Sequence, residues 1–283
     1  MAISDGKIQL DDGSNTIEVS VPLFGYKTTI QLPFDIQKND DGSYGIFDNG
    51  ASYDIRTCEC EMQLNATEQN ILNDFISDGT KGRAKDLIIT TNSSSGFYPF
   101  GPDKGDVGPF TCTFEIAKHE GIGDAPYKYF KNQIIMVNTG SWPSYSIPTE
   151  VSEGQLTIDT IANNRFPPNW FEPDYRYKYA VSIEQNSTSQ YIDRGANADS
   201  FITSFSMVSN QTKAAKTIER LVDTTRSVAF NIITVTNYYL FGRDKGSEGT
   251  YSVKLIQDKI VIQHNRYDNF EYELNITYLS GPT

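Results

Sequence analysis

The chain states one pattern twice, and any fold it adopts has to accommodate both copies. Asp48-Asn49-Gly50-Ala51 returns as Asp193-Arg194-Gly195-Ala196, with Gly195 lying 145 positions after Gly50. Phe97-Tyr98-Pro99-Phe100-Gly101, followed by Asp103-Lys104-Gly105, returns as Tyr238-Tyr239-Leu240-Phe241-Gly242, followed by Asp244-Lys245-Gly246; here Gly242 lies 141 positions after Gly101. Ile88-Ile89-Thr90 matches Ile232-Ile233-Thr234 at 144. Such a spacing is far longer than the ~20–50 residues of solenoid or propeller units and is the size of a domain. The pattern implies a duplicated and fused domain, an arrangement suited to rings and pseudo-symmetric assemblies.

A chain of 283 residues has room for two such domains, each with its own core. Its 17 Tyr and 16 Phe argue for folded, β-rich structure rather than disorder. No apolar run approaches the ~18 residues of a membrane span, and Met1-Ala2-Ile3-Ser4-Asp5 lacks the basic and apolar segments of a signal peptide. The expectation is a protein that stays in the cytoplasm where it is made, without membrane insertion. A net charge of −12 is wrong for tight binding to a phosphate backbone, which needs clustered Lys and Arg.

Three cysteines do not make a disulfide framework. Cys58 and Cys60 are too close on one strand to bridge without strain, Cys60 falls where the second copy has Phe205, and Cys112 falls where it has Val253. These are apolar positions, in which free Cys behaves as a small hydrophobe.

Each half reads as the same series of elements. A first strand (Lys27–Leu32, and Tyr177–Ile183 in the second copy) precedes the Asp-x-Gly-Ala landmark. A long strand follows, with Cys58, Cys60, Met62 and Leu64 alternating with polar residues, and Phe201, Phe205 and Met207 in the second copy. It runs into a helix opened by Asn65-Ala66-Thr67-Glu68 or Asn210-Gln211-Thr212-Lys213, where Asn caps the free N–H groups and Glu68 completes a capping box. Asn65-Ala66-Thr67 is also a glycosylation sequon, but the cap is the better reading. Ile71, Leu72, Phe75 and Ile76 form the apolar stripe of that helix, echoed by Ile218, Leu221 and Val222. An apolar strand, a long hairpin with Phe-Gly-x-Asp-Lys-Gly at its tip, a returning strand (Phe110–Phe114; Tyr251–Leu255) and a closing strand (Tyr127–Val137; Tyr267–Leu279) complete each unit. The fold class is therefore mainly β: two tandem sandwich or barrel domains, each with one α-helix and a long hairpin. The expected boundaries are 1–137 for the first domain, 138–173 for a connector rich in Pro, Ser, Asn and Trp, and 174–283 for the second. An entry strand is expected near Leu156-Thr157-Ile158, and Trp142 and Trp170 read as packing residues or contact anchors.

No catalytic constellation emerges. His119 and His264 are the only imidazoles, and neither belongs to a metal-ligand spacing, a nucleophile elbow or a phosphate-binding loop. Thirty-six acidic residues always offer carboxylate pairs, yet the repeated motifs are turn and cap residues. The expectation is a protein that is not an enzyme and takes no cofactor or metal. The candidate functional residues are the two hairpin tips, Phe100, Gly101, Asp103, Lys104 and Gly105 with Phe241, Gly242, Asp244, Lys245 and Gly246. They read as assembly contacts, with exposed turn residues as the plainer reading of the two lysines.

The order of elements, the Phe-Pro-Phe-Gly hairpin followed by Asp-x-Gly, and the doubled layout resemble the tail tube fold of long-tailed bacteriophages, shared by tail tube, distal tail and baseplate hub proteins. Asn49-Gly50-Ala51-Ser52-Tyr53, leading into Glu68, Phe75-Ile76 and Gly82-Arg83-Ala84, is similar to distal tail proteins. The resemblance spans about residues 25–137 and 175–280. It implies a virion protein, made in the host bacterial cytoplasm, that forms a ring or tube segment. Two tube domains per chain would give a homotrimeric, pseudo-hexameric ring between neighbouring tail proteins, with DNA passing through an acidic lumen without adhering. The duplication favours a tail-tip or baseplate ring over the repeating tube. The alternatives are a two-domain β-sandwich module that binds carbohydrate or a receptor, and a β-rich hydrolase.

Overall fold

The computed structural model describes residues 3–4, 6–22, 25–32, 34–38, 44–48, 54–77, 87–91, 96–123, 128–147, 156–158, 161–163, 171–176, 179–183, 189–193, 200–222, 230–234, 241, 249–265 and 269–281. The protein is mainly β. In chain order the elements are β1 (Lys7–Asp11), β2 (Thr16–Ser20), β3 (Lys27–Gln31), β4 (Phe34–Lys38), β5 (Tyr44–Asp48), β6 (Ile55–Asn65), α1 (Ala66–Ser77), β7 (Leu87–Thr91), β8 (Phe110–Ile122) and β9 (Tyr129–Asn138). They continue with β10 (Leu156–Ile158), β11 (Ile161–Asn163), β12 (Phe171–Arg176), β13 (Tyr179–Ile183), β14 (Ser189–Asp193), β15 (Ser200–Asn210), α2 (Gln211–Val222), β16 (Phe230–Thr234), β17 (Gly249–Leu255), β18 (Lys259–Asn265) and β19 (Asn269–Ser280).

Local chemistry accounts for the long strand and the helix that follows it. In β6 the side chains of Cys58, Cys60, Met62 and Leu64 are buried, while those between them face the other way, as the two-residue period of a strand requires. Asn65 then stops the strand. Its Oδ1 accepts from the Glu68 N–H at 2.9 Å, and the Glu68 carboxylate accepts from the Asn65 N–H at 3.3 Å, a reciprocal capping box. Asn210 caps α2 in the same way, accepting from the Lys213 N–H at 3.0 Å. Glu68 does more than cap: it also pairs with Lys7 and accepts from Ser20, which ties β1 and β2 onto the start of α1.

Among the described residues, fifteen strands form one antiparallel sheet. Its path runs β11-β10-β16-β17-β19-β18-β3-β6-β9-β8-β7-β1-β2, with β15 on the other side of β19 and β12 beyond it. The pairings repeat. In the first half β3 pairs with β6, β6 with β9, β9 with β8, β8 with β7 and β7 with β1. In the second half β12 pairs with β15, β15 with β19, β19 with β17, β17 with β16 and β16 with β10. The hairpin β4–β5 has its counterpart in β13–β14.

Two apolar clusters lie on the sheet. One gathers side chains of β1, β2, β6, α1, β8 and β9. The other gathers those of α2, β17, β18 and β19 together with Ile30 and Leu32, which come from the first half. Cys58, Cys60 and Cys112 are buried free thiols in the first cluster, as the exchange of Cys60 with Phe and of Cys112 with Val in the second copy, and the strand alternation at Cys58, predict.

Three features depart from the sequence reading. The counterpart of β3 is β12, not Tyr177–Ile183: β12 holds the place beside β15 that β3 holds beside β6, and Tyr179–Ile183 is β13. Pro173 in the middle of β12 disguises it, since a Pro inside a run argues against a strand unless the strand lies at an edge. The 138–173 stretch holds the expected entry strand as β10, but it also contains β11, which extends the second half of the sheet, and the start of β12. The returning strand of the second half continues past Leu255 as β18, which supplies the connection between the halves.

Candidate functional site

The two halves meet in a strand ladder. β18 lies antiparallel to β3 with Ile260 opposite Ile30 and Ile262 opposite Thr28. The ladder extends beyond both strands, the Leu32 N–H donating to Asp258 O at 2.8 Å and the His264 N–H to Tyr26 O at 3.1 Å. Core-facing side chains follow the backbone across, so Ile30 and Leu32 pack into the second cluster with Ile260 and Ile262.

The segment predicted as a projecting hairpin tip instead folds back over this seam. It connects β7 to β8, which pair directly through Ile89 and Phe110. Thr28 Oγ1 donates to Pro99 O at 3.0 Å, and the Tyr98 N–H donates to the Tyr26 hydroxyl at 2.9 Å. Tyr26 stacks on His264 at 4.6 Å, and Tyr98 meets Phe270 edge-on at 5.5 Å. Two tyrosines of the first half thus grip two rings of the second. On the other side of the segment Gln211, at the start of α2, donates to the Tyr145 hydroxyl at 2.8 Å and to Pro102 O at 3.3 Å.

Beneath the segment lies Arg56, a fully buried guanidinium. Nη1 donates to Asp103 Oδ1 at 2.6 Å and to Phe100 O at 2.7 Å; Nη2 donates to Asp103 Oδ2 and to Asp54 Oδ2, both at 2.7 Å; Nε donates to Asp54 Oδ1 at 2.8 Å. Each of the five N–H groups therefore has an acceptor, which is the condition for burying this side chain. Lys104 lies 3.2 Å from Asp54, and both cations lie over the Trp142 ring, at 5.3 Å for Arg56 and 5.1 Å for Lys104. Burial opposes the charge on Asp54, but Arg56 and Lys104 outweigh it and hold the carboxyl below its ordinary range. Burial likewise opposes the charge on Arg56, and Asp103 and Asp54 overcome it, so the guanidinium stays ionised.

This geometry explains why the first copy of the motif carries its glycines. Gly101 has φ of +103°, and a Cβ there would stand 2.8 Å from Arg56 Nη1. Gly105 has φ of +79°, and a Cβ would stand 2.5 Å from the Tyr145 ring. Both positions need positive φ and close approach at once. Phe100 is buried against Phe110 and Trp142, at 5.4 and 5.7 Å, and Phe241 repeats the first of these contacts against Tyr251 at 5.6 Å. Among the predicted site residues, then, Phe100, Gly101, Asp103 and Gly105 are buried, Lys104 is partly buried in the ion-pair cluster, and Phe241 is buried in the second core. Gly242, Asp244, Lys245 and Gly246 lie outside the described residues. Arg56, the hub of the cluster, carries no sequence signal: the matching position in the second copy is Phe201.

The opposite face of the sheet at the seam is a polar groove lined by Lys27, Glu59, Glu61, Lys118, Glu120 and Lys131, among others. Its charges pair off, Lys27 with Glu59 at 3.3 Å, Lys131 with Glu61 at 2.6 Å and Lys118 with Glu120 at 3.0 Å. The acidic excess of the chain is not gathered there. Among the described residues no cluster of three or more His, Cys, Asp or Glu is placed to hold a metal, and no helix is long and apolar enough to cross a membrane. Burial pushes the Cys58 thiol up, away from the thiolate that nucleophilic chemistry needs. Compared with known proteins, the chain matches no protein-family model and no curated protein sequence.

Proposed function

We propose that this protein is a structural component of a bacteriophage tail, in which two tandem tube-like domains per chain build a ring or tube segment around a channel for DNA. The observation that carries the reading is the β3–β18 ladder, through which one antiparallel sheet runs from the first repeat into the second. A sheet that continues through equivalent units by edge pairing is the construction a ring wall requires. The repeated order of strand pairings supports the tandem duplication, and the absorption of Ile30 and Leu32 into the second core supports a fixed angle between neighbouring units. In this reading three chains make a pseudo-hexamer, the polar face of the sheet lines the channel, and the partners are further copies of the chain and adjoining tail proteins. The role is mechanical, with no reaction and no cofactor.

Negative-stain electron microscopy of the purified full-length protein, with its mass from light scattering, tests this. Rings or tubes with a central hole and a trimeric mass are the expected result. A protein that remains monomeric at every concentration, and with purified tail components, and that binds glycans instead, is a sandwich-type binding module and not a tail protein.

A further inference from the structure

The internal seam has a counterpart that is left open among the described residues. Asn65 pairs with Tyr129 and Asn210 with Asn269, which makes Tyr129 and Asn269 equivalent. Ile122 pairs with Tyr129 and Asn265 with Asn269, so the end of β8, from Lys118 to Ile122, is the equivalent of β18. On the other side of the seam, Lys27 lies opposite Glu59 as Glu172 lies opposite Ser204, so β12 is the equivalent of β3. β18 and β3 pair with each other. Among the described residues, the end of β8 pairs only with β9, and β12 only with β15.

We infer that Lys118–Ile122 of one chain pairs antiparallel with β12 of a second copy of this chain, repeating the internal seam between molecules. The inference rests on the ring reading above and names its contact. Register follows from the seam: Val261 lies opposite Thr29, so Lys118 lies opposite Asp174, joining opposite charges. His119 then faces Pro173 and Glu120 faces Glu172.

Three observations favour this occupant. The residues Lys118–Ile122 are all exposed, and Ile122 and its cross-strand neighbour Tyr129 are large apolar side chains left 37% and 48% exposed. The two edges are different surfaces of one chain, so the contact is head-to-tail and propagates to a closed ring or a filament. The edge is also guarded. Tyr26 O and Leu32 N face β18, so Thr28, which shares their direction along β3, faces it too; its equivalent Pro173 has no N–H to offer. The intermolecular ladder is one hydrogen bond poorer than the internal one, which suits a contact made on assembly.

In the seam Val261 and Thr29 form a non-hydrogen-bonded pair, the closer kind, so cysteines at the equivalent positions can bridge. The test is the full-length chain carrying Lys118→Cys and Asp174→Cys, oxidised with diamide and read on a non-reducing gel, beside the out-of-register pair Lys118→Cys with Glu172→Cys. The expected result is intermolecular disulfides from the first pair only. Rings by microscopy without that cross-link overturn this edge while leaving the ring reading standing; monomers without it overturn both. Cross-linked open chains support the edge and count against a closed ring. Charge variants provide a second readout that needs no disulfide. Lys118→Glu should lower the assembled fraction, and adding Asp174→Lys should restore it; failure of the second change to restore assembly overturns the register.

Discussion

Arg56 and Asp103, 47 residues apart in the chain, meet as a two-pronged ion pair with both side chains buried. The pair fastens the repeated Phe-Gly-x-Asp-Lys-Gly motif to β6. Removing one member strands the other charge away from water, at a typical cost of about 3–5 kcal/mol, whereas replacing both by apolar groups of similar volume is far less damaging. Arg56→Met should therefore lower stability by roughly that amount in urea unfolding, and Arg56→Met combined with Asp103→Leu should recover much of the loss. If the single and double variants unfold alike, the pair is not what holds the segment down.

Acid should loosen the same region. Asp54 titrates below its ordinary 3.8 in the folded chain because Arg56 and Lys104 outweigh burial, and Glu68 titrates below its ordinary 4.5 because Lys7, Ser20 and its own cap outweigh burial. Both groups return to ordinary values on unfolding, so the unfolded chain takes up their protons first. The stability they contribute is complete above those ordinary values and is lost as pH falls below them towards the folded values. Urea midpoints measured down through the carboxylate range should fall, and Asp54→Asn should flatten the fall. An unchanged slope in that variant would show that Asp54 does not contribute.

Alanine at Gly101 or Gly105 should cost more than the loss of chain flexibility can return. Each position combines positive φ with a neighbour under 3 Å from the added Cβ, Arg56 Nη1 in one case and the Tyr145 ring in the other. Strained positive φ alone costs about 1–2 kcal/mol for a non-glycine residue. Gly13, with φ of +86° and open space around it, is the control: Gly13→Ala should show the backbone part alone. Thermal melts of the three variants separate the two contributions.

Much of the architecture was legible from periodicity. The alternation through Cys58 to Leu64, the Asn65 and Asn210 caps, and both helices follow from local patterns that the repeat doubles. The repeat misled at the hairpin. Retention of Phe-Gly-x-Asp-Lys-Gly reads as a surface motif, because Asp, Lys and Gly are turn residues, but in the first copy Asp103 is buried by Arg56, which no local pattern announces. β12 was hidden by Pro173, and β18 by its lack of a counterpart separate from β8. Pairing between β3 and β18 is a long-range property of the chain, and no local window contains it.

Lys27 lies opposite Gln263, 236 positions later. A ribosome adding about 5–20 residues per second needs on the order of 10–50 s to cover that distance. Throughout that time β3 has only β6 beside it, and Ile30 and Leu32 have no second core to enter. The first half must fold with one raw edge, the kind of edge that recruits other strands. Completion of the seam is thus a late event of synthesis, possible only once Gln263 of the 283 residues has been added.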